Sequence, residues 1–216
     1  MPTKKQTMNN QYDLVFDIGA LDGEYTDQYL ARGARVIAVE PQIGRATNLM
    51  TKYMTDERVT IVCKAVSDFS GMGKIYLSSV PWLATMNPEK WKKGRFSAYE
   101  WKNEQKVIVT TLDELIAEYG VPDFIKIDVE GCELQVLNGL SKPVKEICFE
   151  YTKEYLNDVR LCAERLLQLG DYEFDYSIYK SNNFHNYCDI DKLMELLANS
   201  NAPLLWGDIY ARLKNG

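Results

Sequence analysis

Short apolar runs alternate with segments of helical spacing along most of the chain. DLVFD (residues 13–17) reads as a buried strand, followed by a glycine-containing turn and a helical stretch near residues 25–31 that stops at Gly33. RVIAV (35–39) is strand-like again. Ile43, Ala46, Met50 and Tyr53 then recur at helical spacing, and VTIVC (59–63) reads as a third strand. The alternation breaks between Ser67 and Thr110, where strand-like residues 74–78 and 106–110 flank a segment rich in tryptophan and lysine. This reads as an insertion or lid at about residues 78–106.

The pattern resumes with Thr111-Leu-Asp-Glu114, a capping box for a helix carrying Leu112, Leu115, Ile116 and Tyr119 on one face and ended by Pro122. FIKID (124–128) is the next strand. A turn led by Gly131 opens a helix, and ICFEY (147–151) is a fifth strand. A helix at 159–169, a strand at 172–178, a short helix at 192–198 and a last strand at 208–213 follow. Strands alternating with helices imply parallel pairing with right-handed crossovers, so the predicted fold is doubly wound α/β. The predicted organisation is a flexible segment over residues 1–12 and a single domain over 13–216.

Composition narrows the function. The 216 residues carry 25 Lys+Arg against 31 Asp+Glu, a net charge of −6 that argues against a binder of duplex nucleic acid working by phosphate neutralisation. The five cysteines are odd in number, widely spaced and without a C-x-x-C pair, which fits a reducing cytoplasm better than a disulfide framework or zinc ribbon. The polar start of the chain and the lack of a long apolar run predict neither a signal peptide nor a membrane span.

In doubly wound sheets ligands bind beyond the carboxyl ends of the strands. The first strand leads into Asp17-Ile-Gly19-Ala20-Leu-Asp-Gly23-Glu-Tyr25-Thr26. Its glycines permit close backbone approach, and the amides of the next helix face any anion placed there. The dinucleotide fingerprint G-x-G-x-x-G is absent, and a carboxylate at Asp17 suits an ammonium or sulfonium better than a pyrophosphate. Glu40, 21 residues after Gly19, ends the second strand. It is placed either to accept from both hydroxyls of a ribose or to serve as an acidic helix start. Ser67-Asp68 is read either as a contact for an adenine amino group or as a turn. Asp128 and Glu130 stand at i, i+2 after the fourth strand, where strand alternation would aim both to one side. They are candidates for a general base, for divalent-metal ligands or for helix capping; with no histidine or further acidic motif completing a site, no metal is invoked. Glu150 ends the fifth strand, so Asp17, Glu40, Asp128 and Glu150 gather negative potential that favours a cationic ligand.

These residues resemble the FkbM-type family of S-adenosylmethionine-dependent methyltransferases, through DIGALDGEYT (17–26), AVEP (38–41), KAVSD (64–68), TTLDELI (110–116) and above all IKIDVEGCE (125–133). The departure is at Ala20-Leu21-Asp22, where the family usually carries an asparagine. The resemblance implies a mainly parallel, Rossmann-like seven-stranded sheet of class I methyltransferase type with an antiparallel last strand. It also implies S-adenosylmethionine as donor and methylation of a hydroxyl on a sugar, glycan or natural-product-like acceptor. Cofactor contacts then fall on Asp17, Gly19, Ala20, Gly23, Tyr25, Thr26, Glu40, Ser67, Asp68 and Asp128.

For the chemistry, Asp128 and Glu130 are candidate bases by place. His185, the only histidine, has the better intrinsic pKa but lies in a polar stretch, Asn182–Asn186, and is weighed as either a base or a surface residue. The insertion, from Trp82 to Trp101, joins aromatics to Lys and Arg. That combination suits stacking of a sugar and binding of an acidic group, or stacking of a nucleic-acid base, or an amphipathic helix whose tryptophans close the core. Two other functions remain open to the sequence: an NAD-dependent oxidoreductase, and a module that binds S-adenosylmethionine without chemistry. Oligomeric state is not encoded in any pattern found.

Overall fold

Leu14–Ile18 (β1), with all five side chains buried, runs through a seven-stranded sheet because an apolar strand flanked by neighbours on both sides is covered on both faces. The computed structural model describes residues 12–80, 82–92, 94–179, 186–202 and 205–214. After β1 come α1 (Glu24–Leu30), β2 (Arg35–Val39), α2 (Ile43–Lys52), β3 (Val59–Val62), β4 (Ala65–Val66), β5 (Gly71–Ser78), β6 (Trp101–Thr110) and α3 (Leu112–Tyr119). They are followed by β7 (Phe124–Ile127), α4 (Glu133–Asn138), β8 (Glu146–Thr152), α5 (Leu156–Leu169), β9 (Tyr172–Tyr176), α6 (Ile190–Ala198) and β10 (Trp206–Leu213).

The strand order is β3-β2-β1-β7-β8-β10-β9. Pairing is parallel from β3 to β8, while β10 runs antiparallel to both β8 and β9, between which it is inserted. The doubly wound α/β fold with an antiparallel last strand is therefore observed. The order reverses between β1 and β7, where the chain, having built β2 and β3 on one side, returns to add β7 on the other.

Local chemistry accounts for the helices that frame this sheet. Thr111 caps α3 by accepting from the Glu114 N–H at 3.2 Å, as its capping box predicts, and Asp189 caps α6 through the Lys192 N–H at 2.8 Å. Phe16, Ile18, Ile125, Ile127 and Phe149 belong to one core cluster with α3 to α6; Val15, Val36, Phe124 and Tyr12 belong to a second with α1 and α2. The sequence places Tyr12 at the end of the flexible segment. It is instead 2% exposed, donates its hydroxyl to Glu146 at 2.6 Å and stacks on Phe124, an aromatic filler of the second cluster. Residues 1–11 lie outside the described residues.

The interruption is itself a small sheet, in the order β4-β6-β5. β6 starts at Trp101, paired with Ser78, so the two strands reach further in than expected, and the irregular residues described are 79–80, 82–92 and 94–100. It contains two 3-10 turns, Pro88–Lys92 and Gly94–Phe96, in place of the amphipathic helix considered from sequence. No helix among the described residues is long and apolar enough to cross a membrane.

Candidate active site

A cavity of about 760 Å³ opens over the carboxyl ends of β1, β2, β7 and β8, beneath the insertion. Its first wall is the turn after β1. Gly19 and Ala20 both donate to the Val39 carbonyl, at 2.9 and 3.0 Å, which folds the turn onto the end of β2. Gly19 has φ +87, and a Cβ there would lie 1.9 Å from the Asp128 carbonyl oxygen. Only glycine lets the β1 turn and the end of β7 meet at this distance.

Glu40 completes that wall. It is 2% exposed and accepts from the Leu21 N–H at 3.0 Å and the Gln42 N–H at 2.8 Å, one on each carboxylate oxygen. Burial pushes its pKa up to about 7 against these two amides. Gly19, Ala20 and Tyr25 line the cavity as well.

Asp17, Gly23 and Thr26 do not line it. Asp17 is 1% exposed beneath the turn, accepting from the Thr26 hydroxyl at 2.6 Å, with its pKa pushed up to about 6 by burial. Gly23, the N-cap of α1, packs against Tyr53, whose hydroxyl donates to its carbonyl at 2.9 Å. These three residues shape the turn from below. Ser67 and Asp68 are likewise absent from the lining, and the third wall consists of Lys64, Ala65, Val66 and Ile75. The reason is the second sheet: the Ser67 N–H donates to the Thr110 carbonyl at 2.9 Å, drawing the chain toward β6.

Asp128 and Glu130 both face the cavity, but by a different route from strand alternation. β7 ends at Ile127, and Glu130 takes φ +54 in a turn with Gly131 at φ +93. Carboxylate oxygens of Asp128, Glu130 and Glu150 lie within 4.8 Å of one another. Asp22, Glu24 and Glu40 line the cavity too, against Lys64 and Arg95, so its lining is strongly acidic as the strand ends suggested. His185 lies outside the described residues.

The insertion forms the roof. Trp91 is 2% exposed and donates its indole N–H to the Glu130 carbonyl at 2.7 Å, while Lys90 donates to the Gly131 carbonyl at 2.9 Å. Trp82, Phe96 and Tyr99 add aromatic surface, with Trp82 58% exposed. Among the described residues, cations of this segment and of the adjoining β6 face acids of the protein: Lys90 pairs with Asp158, Lys92 with Glu89, Arg95 with Glu154 and Lys102 with Glu100.

Trp206, Thr152 and Lys126 are further residues of the cavity and its support that the sequence pattern does not place there. Trp206 lies directly opposite Thr152 in the β8–β10 pairing, and both line the cavity. Lys126 is fully buried beneath it. The signal for Lys126 was present: a lysine within the otherwise apolar FIKI strand requires a buried partner. Trp206 and Thr152 carried no such signal.

A reversing parallel sheet with an antiparallel last strand, a glycine turn after β1 and an acid closing β2 defines a Rossmann-like fold of the class I methyltransferase type. The chain belongs to the FkbM methyltransferase family: the Methyltransferase FkbM domain matches residues 17–176. Membership makes it an S-adenosylmethionine-dependent methyltransferase, with that molecule as methyl donor. Among solved structures it is similar to precorrin-6y C5,15-methyltransferase from Geobacter metallireducens, at 14% identity and a TM-score of 0.49 over 97% of this chain and 83% of that one. It is also similar to the ribosomal protein L11 methylase of Lactobacillus delbrueckii subsp. bulgaricus, at 11% identity and a TM-score of 0.47 over 97% and 74%. A third is the SAM-dependent O-methyltransferase of Thermotoga maritima, at 14% identity and a TM-score of 0.43 over 94% and 60%. No curated protein matches the chain.

Proposed function

We propose that the protein transfers the methyl group of S-adenosylmethionine to a hydroxyl oxygen of a small acceptor, such as a sugar, a glycan terminus or a natural-product-like molecule. The observation that carries this reading is Glu40: a buried carboxylate, held by two amides at the end of β2 and lining a cavity whose other acids gather at neighbouring strand ends. Glu40 has the placement to accept from the ribose hydroxyls, and Gly19–Leu21 give the close backbone surface for the amino-acid end. The acidic lining suits a sulfonium. The donor supplies an electrophilic methyl group. Asp128, Glu130 and Glu150 surround the space where an acceptor hydroxyl would be oriented and its proton received.

Two features favour an uncharged, hydroxylated acceptor over an acidic one. Acids dominate the lining, and Lys90 and Arg95 of the insertion are engaged with protein carboxylates. Trp82, Tyr99 and Trp206 offer flat surfaces for a ring. A cytoplasmic location belongs to the same proposal and rests on cysteine usage.

The experiment is calorimetric titration with S-adenosylmethionine, S-adenosylhomocysteine and NAD, followed by labelled methyl transfer to a panel of neutral sugars, nucleotide sugars and phenols. Binding of the sulfur nucleosides and transfer to a hydroxyl is the expected result. Tight NAD binding without them would overturn the reading. Cofactor binding with no transfer to any panel member, with that binding unaltered by Asp128→Ala, would favour the non-catalytic module.

A further inference from the structure

Lys126 occupies the middle of the sheet on β7 with no exposed surface. A buried ammonium is tolerated only where carboxylates and dipoles replace its water. Its Nζ donates to Asp208 Oδ1 on β10 at 2.9 Å and lies 3.5 Å from Asp128 Oδ2. It also lies 5.1 Å from the centre of the Tyr25 ring on α1, and the Tyr25 hydroxyl donates to the other Asp208 oxygen at 3.3 Å. Cys148 on β8 faces the same ammonium, and Asp17 on β1 lies within its field.

The two carboxylates beside Lys126 differ in kind. Asp208 is 1% exposed and is locked by Lys126 and Tyr25. Asp128 has 15% of its side chain exposed and lines the cavity. One buried partner would suffice to neutralise Lys126; the second contact points toward the site. We propose that Lys126, backed by Asp208, is a positioning residue: it holds the Asp128 carboxylate fixed at the cavity wall, where it meets the positive end of S-adenosylmethionine. This rests on the methyltransferase reading above and adds a residue acting through Asp128 without touching the cofactor.

The test is a coupling cycle read by calorimetric S-adenosylmethionine binding on the full chain. Lys126→Met alone leaves Asp208 buried without its cation and is expected to fold poorly, so the cycle is built on Asp208→Asn, with each variant's thermal midpoint recorded. Relative to Asp208→Asn, adding Lys126→Met should weaken binding about tenfold, and adding Asp128→Asn should weaken it by a similar factor. Adding both should cost no more than either, because the lysine has no carboxylate left to hold. Multiplying losses would mark Lys126 as merely structural and overturn the proposal, as would unchanged or tighter binding after Lys126→Met. Wild-type protein that fails to bind S-adenosylmethionine would remove the functional reading itself, an outcome told apart from the others before any variant is made.

Discussion

The indole N–H of Trp91 donates to the Glu130 carbonyl at 2.7 Å, so the roof of the cavity is fastened to the turn that carries its acidic residues. Trp91→Phe keeps a ring against Phe96 and Tyr155 but removes this bond. A net hydrogen bond of about 1 kcal/mol corresponds to a fall of about 2–4 °C in the thermal midpoint for a chain of this size. Limited proteolysis should show residues 79–100 cut faster in the variant, and cofactor retention should shorten. Unchanged cleavage would mean that Lys90 and the aromatic packing hold the roof without Trp91.

Stability and cofactor affinity should respond to pH in opposite directions. Asp17 and Glu40 have folded-state pKa values pushed by burial to about 6 and about 7, above their ordinary 3.8 and 4.5. Between roughly pH 4 and 7 these two carboxyls bind more protons in the folded chain than in the unfolded one, so their contribution to stability falls as pH rises through that window. A shift of two units corresponds to about 3 kcal/mol per group. The cofactor-free protein should therefore melt higher at pH 5 than at pH 7.5, and Glu40→Gln should flatten the slope. Affinity for S-adenosylmethionine should rise over the same range as Glu40 ionises to accept the ribose hydroxyls. Affinity independent of pH between 5.5 and 8 would detach Glu40 from cofactor binding.

Gly19→Ala should be among the most damaging small substitutions. The new methyl would meet the Asp128 carbonyl oxygen at 1.9 Å from a backbone held at φ +87. Left-handed strain and displacement of β7 together should cost roughly 3 kcal/mol or more, seen as low soluble yield and a large drop in midpoint. A midpoint within 2–4 °C of wild type, about 1 kcal/mol for this length, would mean that the turn and β7 separate easily.

Thr152 gives a prediction of the opposite sign. Its hydroxyl oxygen is buried without a hydrogen-bond partner among the described residues, beside both the main cavity and a small one of about 30 Å³. Thr152→Val removes an unpaired hydroxyl and should raise the midpoint, by about 1 kcal/mol of stability. A lowered midpoint would reveal an ordered water in the small cavity as its partner.

Where apolar periodicity and glycine positions dominate, the fold was legible. The RVIAV and FIKI strands and the capping box at Thr111 fall at or within a residue of the observed elements, because each is decided by its own residues. That Glu40, Asp128 and Glu130 would gather at one cavity was legible for a related reason: strand ends in this fold share one location. What was hidden depends on distant partners. Asp17 looks like a strand-tip carboxylate until Thr26 folds back beneath it. Ser67 looks cavity-facing until β4 and β6 form their own sheet. The roles of Trp91, Trp206 and Lys126 rest on contacts across the sheet and insertion, which spacing along the chain does not encode.

The place of β10 has a consequence for biosynthesis. Being last in chain order yet inserted between β8 and β9, it leaves these two strands unable to join until it leaves the ribosome. Until then Lys126 lacks Asp208, its closest carboxylate partner, and the cavity lacks the indole of Trp206. A nascent chain stalled before residue 206 would carry the whole cofactor-facing half of the sheet with Lys126 held by Asp128 alone and the edge of β8 unpaired, the kind of exposed edge that favours aggregation during synthesis.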